Sequence, residues 1–114
     1  MKAKLSTHVL DIQNGRPAAG LAIALWRLRD GERVWLKNDV TNFEGRTDQP
    51  LLDSSEMQAG EYELIFQVGA YFGMVPEKSF LNEIPLRFRI VDPQEGYHVP
   101  LLVSPWAYST YRGS

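Results

Sequence analysis

A chain of 114 residues with 44% hydrophobic and 23% charged side chains has the size and composition of one globular domain, residues 1–114. Its net charge of −2, without any basic run, argues against a nucleic-acid-binding protein, and its lack of cysteine excludes disulfides and thiolate metal ligands. No apolar segment approaches the roughly 20 residues of a membrane-spanning helix, and no hydrophobic leader follows Met1, so the expected location is the cytoplasm.

Alternation of apolar and polar side chains dominates the chain and predicts an all-β fold. The predicted strands are 5–12, 21–28, 33–40, 61–68, 84–91, 97–103 and 107–111. The near-continuous apolar run 21–28 is typical of a strand covered on both faces. Asp30-Gly31 predicts a hairpin turn into the strand that follows. The Trp and Phe residues are expected in the core.

The remaining segments are polar or are interrupted by glycine and proline. Residues 14–17 have the composition of a turn, and the polar stretch 41–60 has room for a short edge strand near 47–52. Residues 69–74 form the single segment predicted to be a short helix, which ends before Pro76. About seven or eight short strands separated by such turns are typical of a β-sandwich.

The two histidines, His8 and His98, each lie within a predicted strand, one near each end of the chain. A strand histidine most often faces solvent or completes a hydrogen-bond network, which is the ordinary interpretation of each one alone. The first and last strands of a sandwich are often close in space, so the two imidazoles could face one site. A neutral imidazole suits general-base catalysis because its usual pKa of about 6.5 is close to neutrality.

Arg46 follows Glu44-Gly45 in a loop after a predicted strand. A solvated loop charge is its ordinary interpretation, and a planar donor for a carbonyl or an anionic ring is the functional one. Two histidines without a third ligand at suitable spacing do not predict a catalytic zinc site, so no metal or other cofactor is expected. The sequence contains no Gly-x-Ser-x-Gly motif, which would indicate a serine nucleophile.

The C-terminal end is unusual because an aromatic-rich run predicts a strand almost to the last residue. Most domains end in frayed polar residues, and a disordered tail is the ordinary alternative here. The last four residues, Tyr111-Arg112-Gly113-Ser114, instead combine a phenol, a guanidinium and a terminal carboxylate. An ordered tail could contribute these groups to a site.

Three motifs together resemble the 5-hydroxyisourate hydrolases, the transthyretin-related enzymes of urate breakdown. They are Leu5-Ser-Thr-His-Val-Leu-Asp11 followed by Gly15-Arg-Pro-Ala18, Thr41-Asn-Phe-Glu-Gly-Arg46, and the terminal Tyr111-Arg-Gly-Ser114, and residues 97–105 extend the likeness to nearly the full length. The resemblance implies a transthyretin-like β-sandwich of two four-stranded sheets with one short helix. It also implies a homotetramer with two active sites in a channel between dimers, and the strands of both histidines and the tail side by side.

The resemblance further implies which residues act on the substrate, 5-hydroxyisourate. The implied catalytic residues are His8, Arg46 and His98, and the implied substrate-binding residues are Tyr111, Arg112, Gly113 and Ser114. We expect a histidine to activate water for hydrolysis of the ring amide, with His98 as base and His8 as its positioning partner, although these roles are exchangeable. Arg46 would hold ring carbonyls and the developing negative charge, while Arg112 and the Ser114 carboxylate orient substrate or imidazole. One departure is Glu44, where the family usually has Asp before Gly-Arg.

Two other functions fit parts of this pattern. The main alternative is a transthyretin-like carrier that binds a small aromatic ligand in the tetramer channel, because one fold supports both functions. A carrier has no need of paired imidazoles, an arginine and the terminal tetrapeptide together. The second alternative, a non-catalytic structural or adhesion module, is usual within longer secreted chains. The combined motifs favour the hydrolase.

Overall fold

The computed structural model describes residues 2–113, and they form two four-stranded sheets that share one hydrophobic core. The strands are β1 (Leu5–Asp11), β2 (Arg16–Pro17), β3 (Ala22–Arg29), β4 (Glu32–Val40), β5 (Gly60–Gln67), β6 (Glu83–Ile90), β7 (Tyr97–Val103) and β8 (Tyr108–Thr110). A short helix, α1 (Val68–Tyr71), follows β5, and one 3-10 turn spans Pro76–Lys78. The predicted sandwich of two four-stranded sheets with one short helix is confirmed. None of the helices within residues 2–113 has the length and apolarity to cross a membrane.

The first sheet has the strand order β2-β1-β7-β8, so the first long strand lies beside the penultimate one. β1 and β7 run parallel, and Ser6 is paired with His98 and His8 with Pro100. β8 then pairs antiparallel with β7. The expectation that the histidine strands and the strand before the tail lie side by side is therefore confirmed.

Alternation along β1 decides which side chains reach the core and which stay outside. Leu5, Thr7 and Val9 are buried, whereas Ser6 and His8 between them are half-buried on the opposite face. Successive side chains of a strand point to opposite faces, so one pleated strand both seals the core and presents an imidazole outward.

The second sheet has the order β4-β3-β5-β6, and the predicted hairpin joins its first two strands. Asp30 and Gly31 both adopt positive φ, at 54° and 78°, which is the backbone of the tight turn that matches strand twist. The prediction that strand 21–28 is covered on both faces is wrong. Ile23 and Leu25 enter the core, but the alternate residues of β3 lie half-exposed on the outer surface.

The short edge strand for which 47–52 has room is absent, and the predicted turn at 14–17 is confirmed only at residues 14 and 15. Residues 47–52 form no strand: Leu52 makes a single bridge to Leu5, because Pro50 has no N–H to donate and Leu51 and Leu52 turn their side chains into the core. Residues 14 and 15 lie in the predicted turn, and the two residues after them form β2, which pairs with the end of β1.

Many aromatic residues also lie outside the core, contrary to expectation. Phe66 is fully buried. The most exposed aromatic side chains among the described residues are those of Trp35, Phe43, Phe80, Trp106 and Tyr111. Alternation alone does not distinguish a core position from a surface position that another molecule covers.

Candidate active site

The outer surface of the β2-β1-β7-β8 sheet brings both histidines to one place. We call the surface around Ser6, His8, Arg46 and His98 the histidine face. His8 and His98 lie on adjacent strands, and both side chains project from the side of the sheet opposite the core. The structure thus places together three of the predicted catalytic residues, two from strands and Arg46 from the loop that follows β4.

The loop with Arg46 is held against His8 by contacts of its main chain. His8 Nε2 donates to the Glu44 carbonyl oxygen at 2.9 Å, and since a carbonyl only accepts, the hydrogen of a neutral His8 lies on Nε2. Gly45 is buried with φ +78°, and a Cβ there would collide with the Val9 carbonyl and approach His8 Cδ2 to 3.2 Å. Only glycine fits this turn. The main-chain carbonyl of residue 44 makes this contact, so the contact does not use the Glu44 carboxylate.

His98 is held by a hydroxyl on one side and by the tail on the other. Its Nδ1 lies 2.8 Å from Ser6 Oγ in a partly buried hydrogen bond. The Gly113 N–H donates to the His98 carbonyl at 2.7 Å, and a Cβ on Gly113 would come within 2.7 Å of His98 Cδ2. The C-terminal end is therefore ordered through Gly113 and packs directly on the imidazole.

The environment of His98 favours its neutral form. Burial lowers the pKa of His98, and the positive charges of Arg46 and Lys4 lower it further. A lowered pKa favours the uncharged imidazole of His98 over the charged one near neutral pH, with the Arg46 cation nearby. A neutral imidazole next to a guanidinium can accept a proton while the cation stabilises negative charge.

Arg112 turns away from the imidazoles toward the loop between β6 and β7. Its Nη2 donates to Glu95 Oε1 at 3.2 Å and to the Gly96 carbonyl at 3.1 Å, and its guanidinium lies 4.1 Å from the centre of the Tyr97 ring. These contacts anchor the tail where Gly113 meets His98. Of the other predicted tail residues, Tyr111 is 59% exposed, and Ser114 lies outside the described residues.

Sequence reasoning missed Ser6, Lys4 and Glu95. A hollow of about 350 Å³ opens beside His98 and is lined by these three residues together with others of 2–4 and 94–98. The available signal for Ser6 was its position two residues before His8, which puts both on one strand face. Nothing local signalled Glu95, because its partner Arg112 is distant in sequence.

A larger hollow of about 880 Å³ lies near α1 and the loop after β1, away from both histidines. Arg16 is the one charged residue of its lining among residues 2–113. The Tyr71 phenol in this lining donates to Asp11 Oδ2 at 2.7 Å, and the paired imidazoles of the histidine face have no counterpart there. Within the same described range, no group of three His, Asp or Glu side chains has metal-binding geometry.

Comparisons with known proteins show the family and the fold of the chain. The model of the HIUase/Transthyretin family matches residues 5–113. A 5-hydroxyisourate hydrolase of Halalkalibacterium halodurans is 53% identical over the whole of both chains. A solved structure of (S)-allantoin synthase has a TM-score of 0.90 and 45% identity over 99% of this chain, which spans 44% of that longer chain. Sea bream transthyretin in complex with thyroxine has a TM-score of 0.85 and 26% identity, covering 97% of this chain and 95% of its own.

Proposed function

The chain belongs to the HIUase/Transthyretin family, and from that membership we propose that it is a hydrolase that opens the ring amide of 5-hydroxyisourate. The 5-hydroxyisourate hydrolase that is 53% identical to this chain over the whole of both chains supports the proposal. The observation that carries it is the histidine face, where two imidazoles and Arg46 converge beside the ordered tail.

In the proposed reaction, water attacks the carbonyl carbon of the ring amide. His98 takes one proton from the water as the new C–O bond forms, and Arg46 stabilises the oxyanion of the tetrahedral intermediate. The C–N bond then breaks, and the imidazolium returns the proton to the leaving nitrogen. A positioned base contributes typically ~10²–10⁴-fold and an electrostatic donor ~10²–10³-fold.

His8 has a different proposed role, because its Nε2–H is committed to the Glu44 carbonyl. Its remaining ring nitrogen, Nδ1, is available to accept a hydrogen bond from water or from a substrate N–H. We therefore propose that His8 positions the reactants. Tyr111, Gly113 and the Ser114 carboxylate complete the proposed substrate site, with Arg112 anchoring the tail through Glu95.

A homotetramer is part of the proposal. Exposed aromatic side chains support it: Trp106 and Tyr108 lie at the β8 edge, and the Phe80 ring lies 6.5 Å from the Trp106 ring. Large exposed apolar surfaces at free strand edges are typical of protein interfaces. Light scattering coupled to gel filtration is expected to give four times the protomer mass of 13.0 kDa.

Carriage of a small aromatic ligand is the second candidate function, and the similarity to sea bream transthyretin in complex with thyroxine favours it. The chemical groups of the histidine face distinguish a hydrolase from a carrier. A carrier needs shape and apolar contact, whereas the histidine face concentrates proton-transfer groups and positive charge.

One assay decides between these functions. 5-Hydroxyisourate is generated freshly from urate with urate oxidase, and its ultraviolet decay is followed with and without the purified protein. We expect accelerated decay that is lost when residues 111–114 are deleted, with circular dichroism confirming that the truncated protein is folded. An unaccelerated decay with folded protein, together with tight binding of an aromatic ligand, would establish the carrier instead.

A further inference from the structure

We infer that Ser6 is a positioning residue that holds the hydrogen of neutral His98 on Nδ1 and so leaves the Nε2 lone pair as the base. This inference deepens the proposed hydrolase function and rests on it. It also separates the two histidines, whose roles the sequence leaves exchangeable.

The contact between Ser6 and His98 is built into the sheet. The two residues are paired in the parallel register of β1 and β7, although they are 92 positions apart in the chain. At this level of the sheet the outer sides of the two strands are held by single bridges, from Leu5 to Leu52 and from His98 to Gly113. The pairing of β1 with β7 thus brings Ser6 Oγ and His98 Nδ1 together, at 2.8 Å.

A serine hydroxyl can either donate or accept, and the surrounding charge favours acceptance. Arg46 and Lys4 create a positive potential at His98. A lone pair exposed to a positive potential is favoured over an N–H directed into it. With Nδ1 bonded to Ser6, Nε2 is the ring nitrogen for which residues 2–113 supply no hydrogen-bond partner, and we assign the free lone pair to it. The hydrogen then lies on Nδ1 and is donated to Ser6 Oγ.

This arrangement suits a base through a whole catalytic cycle. When Nε2 takes a proton from water, the Nδ1–H remains, becomes more acidic and bonds Ser6 Oγ more strongly. Ser6 thus stabilises the imidazolium as it forms. His8 is fixed the opposite way, because its Nε2–H donates to the Glu44 carbonyl and its free nitrogen is Nδ1.

The experiment compares Ser6→Ala and Ser6→Thr with Thr7→Val as a matched control. Thr7 Oγ1 donates to the Val99 carbonyl at 2.6 Å, so it links the same two strands one residue further along, on the buried face. Ser6→Ala removes the hydroxyl from the histidine face, Ser6→Thr retains it, and Thr7→Val removes a hydroxyl that does not touch His98. Long-range ¹H–¹⁵N spectra of ¹⁵N-histidine-labelled protein report which nitrogen carries the hydrogen, with His98→Gln assigning the signals.

We expect wild-type His98 to carry its hydrogen on Nδ1 above its pKa. Ser6→Ala should move population to the Nε2–H form and lower kcat/KM about tenfold, the worth of one hydrogen bond of about 1.4 kcal/mol. Ser6→Thr should restore both readouts. Thr7→Val should lower the unfolding midpoint yet leave the His98 tautomer and kcat/KM unchanged.

Two results would overturn the inference. The first is an active wild-type enzyme whose His98 carries its hydrogen on Nε2, which is decided without any variant. The second is a folded Ser6→Ala protein with the wild-type tautomer and kcat/KM. A wild-type protein that binds but does not hydrolyse 5-hydroxyisourate contradicts the proposed function itself, and the assay reports that result separately from the spectrum.

Discussion

The outer surfaces of the two sheets hold their charges in different ways. On the β4-β3-β5-β6 sheet, Glu63 lies between two arginines: its Oε1 is 3.1 Å from Arg33 Nη1 and its Oε2 is 3.0 Å from Arg87 Nε. The Arg33 guanidinium also lies 4.5 Å from the centre of the Trp26 ring. We call this surface the Glu63 face. Each carboxylate oxygen there meets a cation.

The histidine face, on the parallel strands β1 and β7, has no such pairing of its charges. Arg46 and Lys4 act together on His98, and within residues 2–113 neither cation forms an ion pair with a carboxylate. Like charges around a half-buried base cost stability, and a fold retains such an arrangement where an anion or a developing negative charge will use it. Within residues 2–113, the cations around Glu63 are paired, whereas Arg46 and Lys4 beside His98 are not, and this difference supports the proposed site.

The largest effect is expected from His98→Ala, which removes the proposed base. We expect kcat/KM to fall about 10²–10⁴-fold because water must then be deprotonated without a positioned group. The decay assay measures the loss, and thermal unfolding checks that the fold is intact. Near-normal turnover in a folded tetramer would contradict the assignment of the site to this face.

Arg46→Gln tests the electrostatic half of the site, with Arg87→Gln on the Glu63 face as its matched control. Removing the Arg46 guanidinium should lower kcat/KM about 10²–10³-fold, since the oxyanion loses its stabilising charge. Arg87→Gln removes an equal charge and should leave kcat/KM unchanged while weakening the pair with Glu63. Equal losses in the two variants would show that overall charge, and not its position, matters.

Gly113→Ala tests whether the tail must pack on the imidazole. An added Cβ would come within 2.7 Å of His98 Cδ2, so the ring or the tail has to shift. Small displacements of a catalytic group are costly, and we expect kcat/KM to fall about 10- to 100-fold. Gly96→Ala is the control, because its Cβ would meet only the Lys4 carbonyl at an ordinary 3.8 Å. Full activity in Gly113→Ala would show that activity does not require close packing of the tail on His98.

Glu63→Gln tests whether the Glu63 face contributes to the stability of the fold and not to activity. The Glu63 side chain is 7% exposed, whereas the two arginines are about half exposed and can be rehydrated when the charge is lost. We expect the free energy of unfolding to fall by about 1–2 kcal/mol in urea titration, with kcat/KM unchanged. Glu61→Gln, which breaks the looser pair with Arg89, should change little. A large loss of activity in Glu63→Gln would contradict the assignment of a structural role to the Glu63 face and a catalytic role to the histidine face.

Lys4→Gln is expected to have the smallest effect, a shift in pH dependence. The proposed base works when neutral, so activity is present above the His98 pKa and is lost as pH falls through it. The Lys4 charge helps to lower that pKa, and its removal should raise the pKa and move the acid limb of kcat/KM to higher pH. Lys37→Gln on the other sheet should leave the profile unchanged. An acid limb displaced to lower pH would contradict the role given to Lys4.

Several parts of this molecule followed from the sequence alone. Period-two alternation located the long strands, and Asp30-Gly31 located the hairpin, because backbone pleating and positive φ are local properties. Three motifs together carried the resemblance to the family: Leu5–Asp11 with Gly15–Ala18, Thr41–Arg46, and the terminal Tyr111–Ser114. These features were readable because each is a pattern within a few neighbouring residues.

The tertiary structure decided which of these residues meet. Ser6 contacts His98 only because β1 and β7 are paired in parallel, and Arg112 turns toward Glu95 only because β8 returns the tail beside that loop. Segment 47–52 lost its expected strand because burying Leu51 and Leu52 outweighed further pairing. Such contacts join residues that are far apart in the chain. They are stabilised by the packing and pairing of whole sheets, so a pattern of neighbouring residues does not predict them.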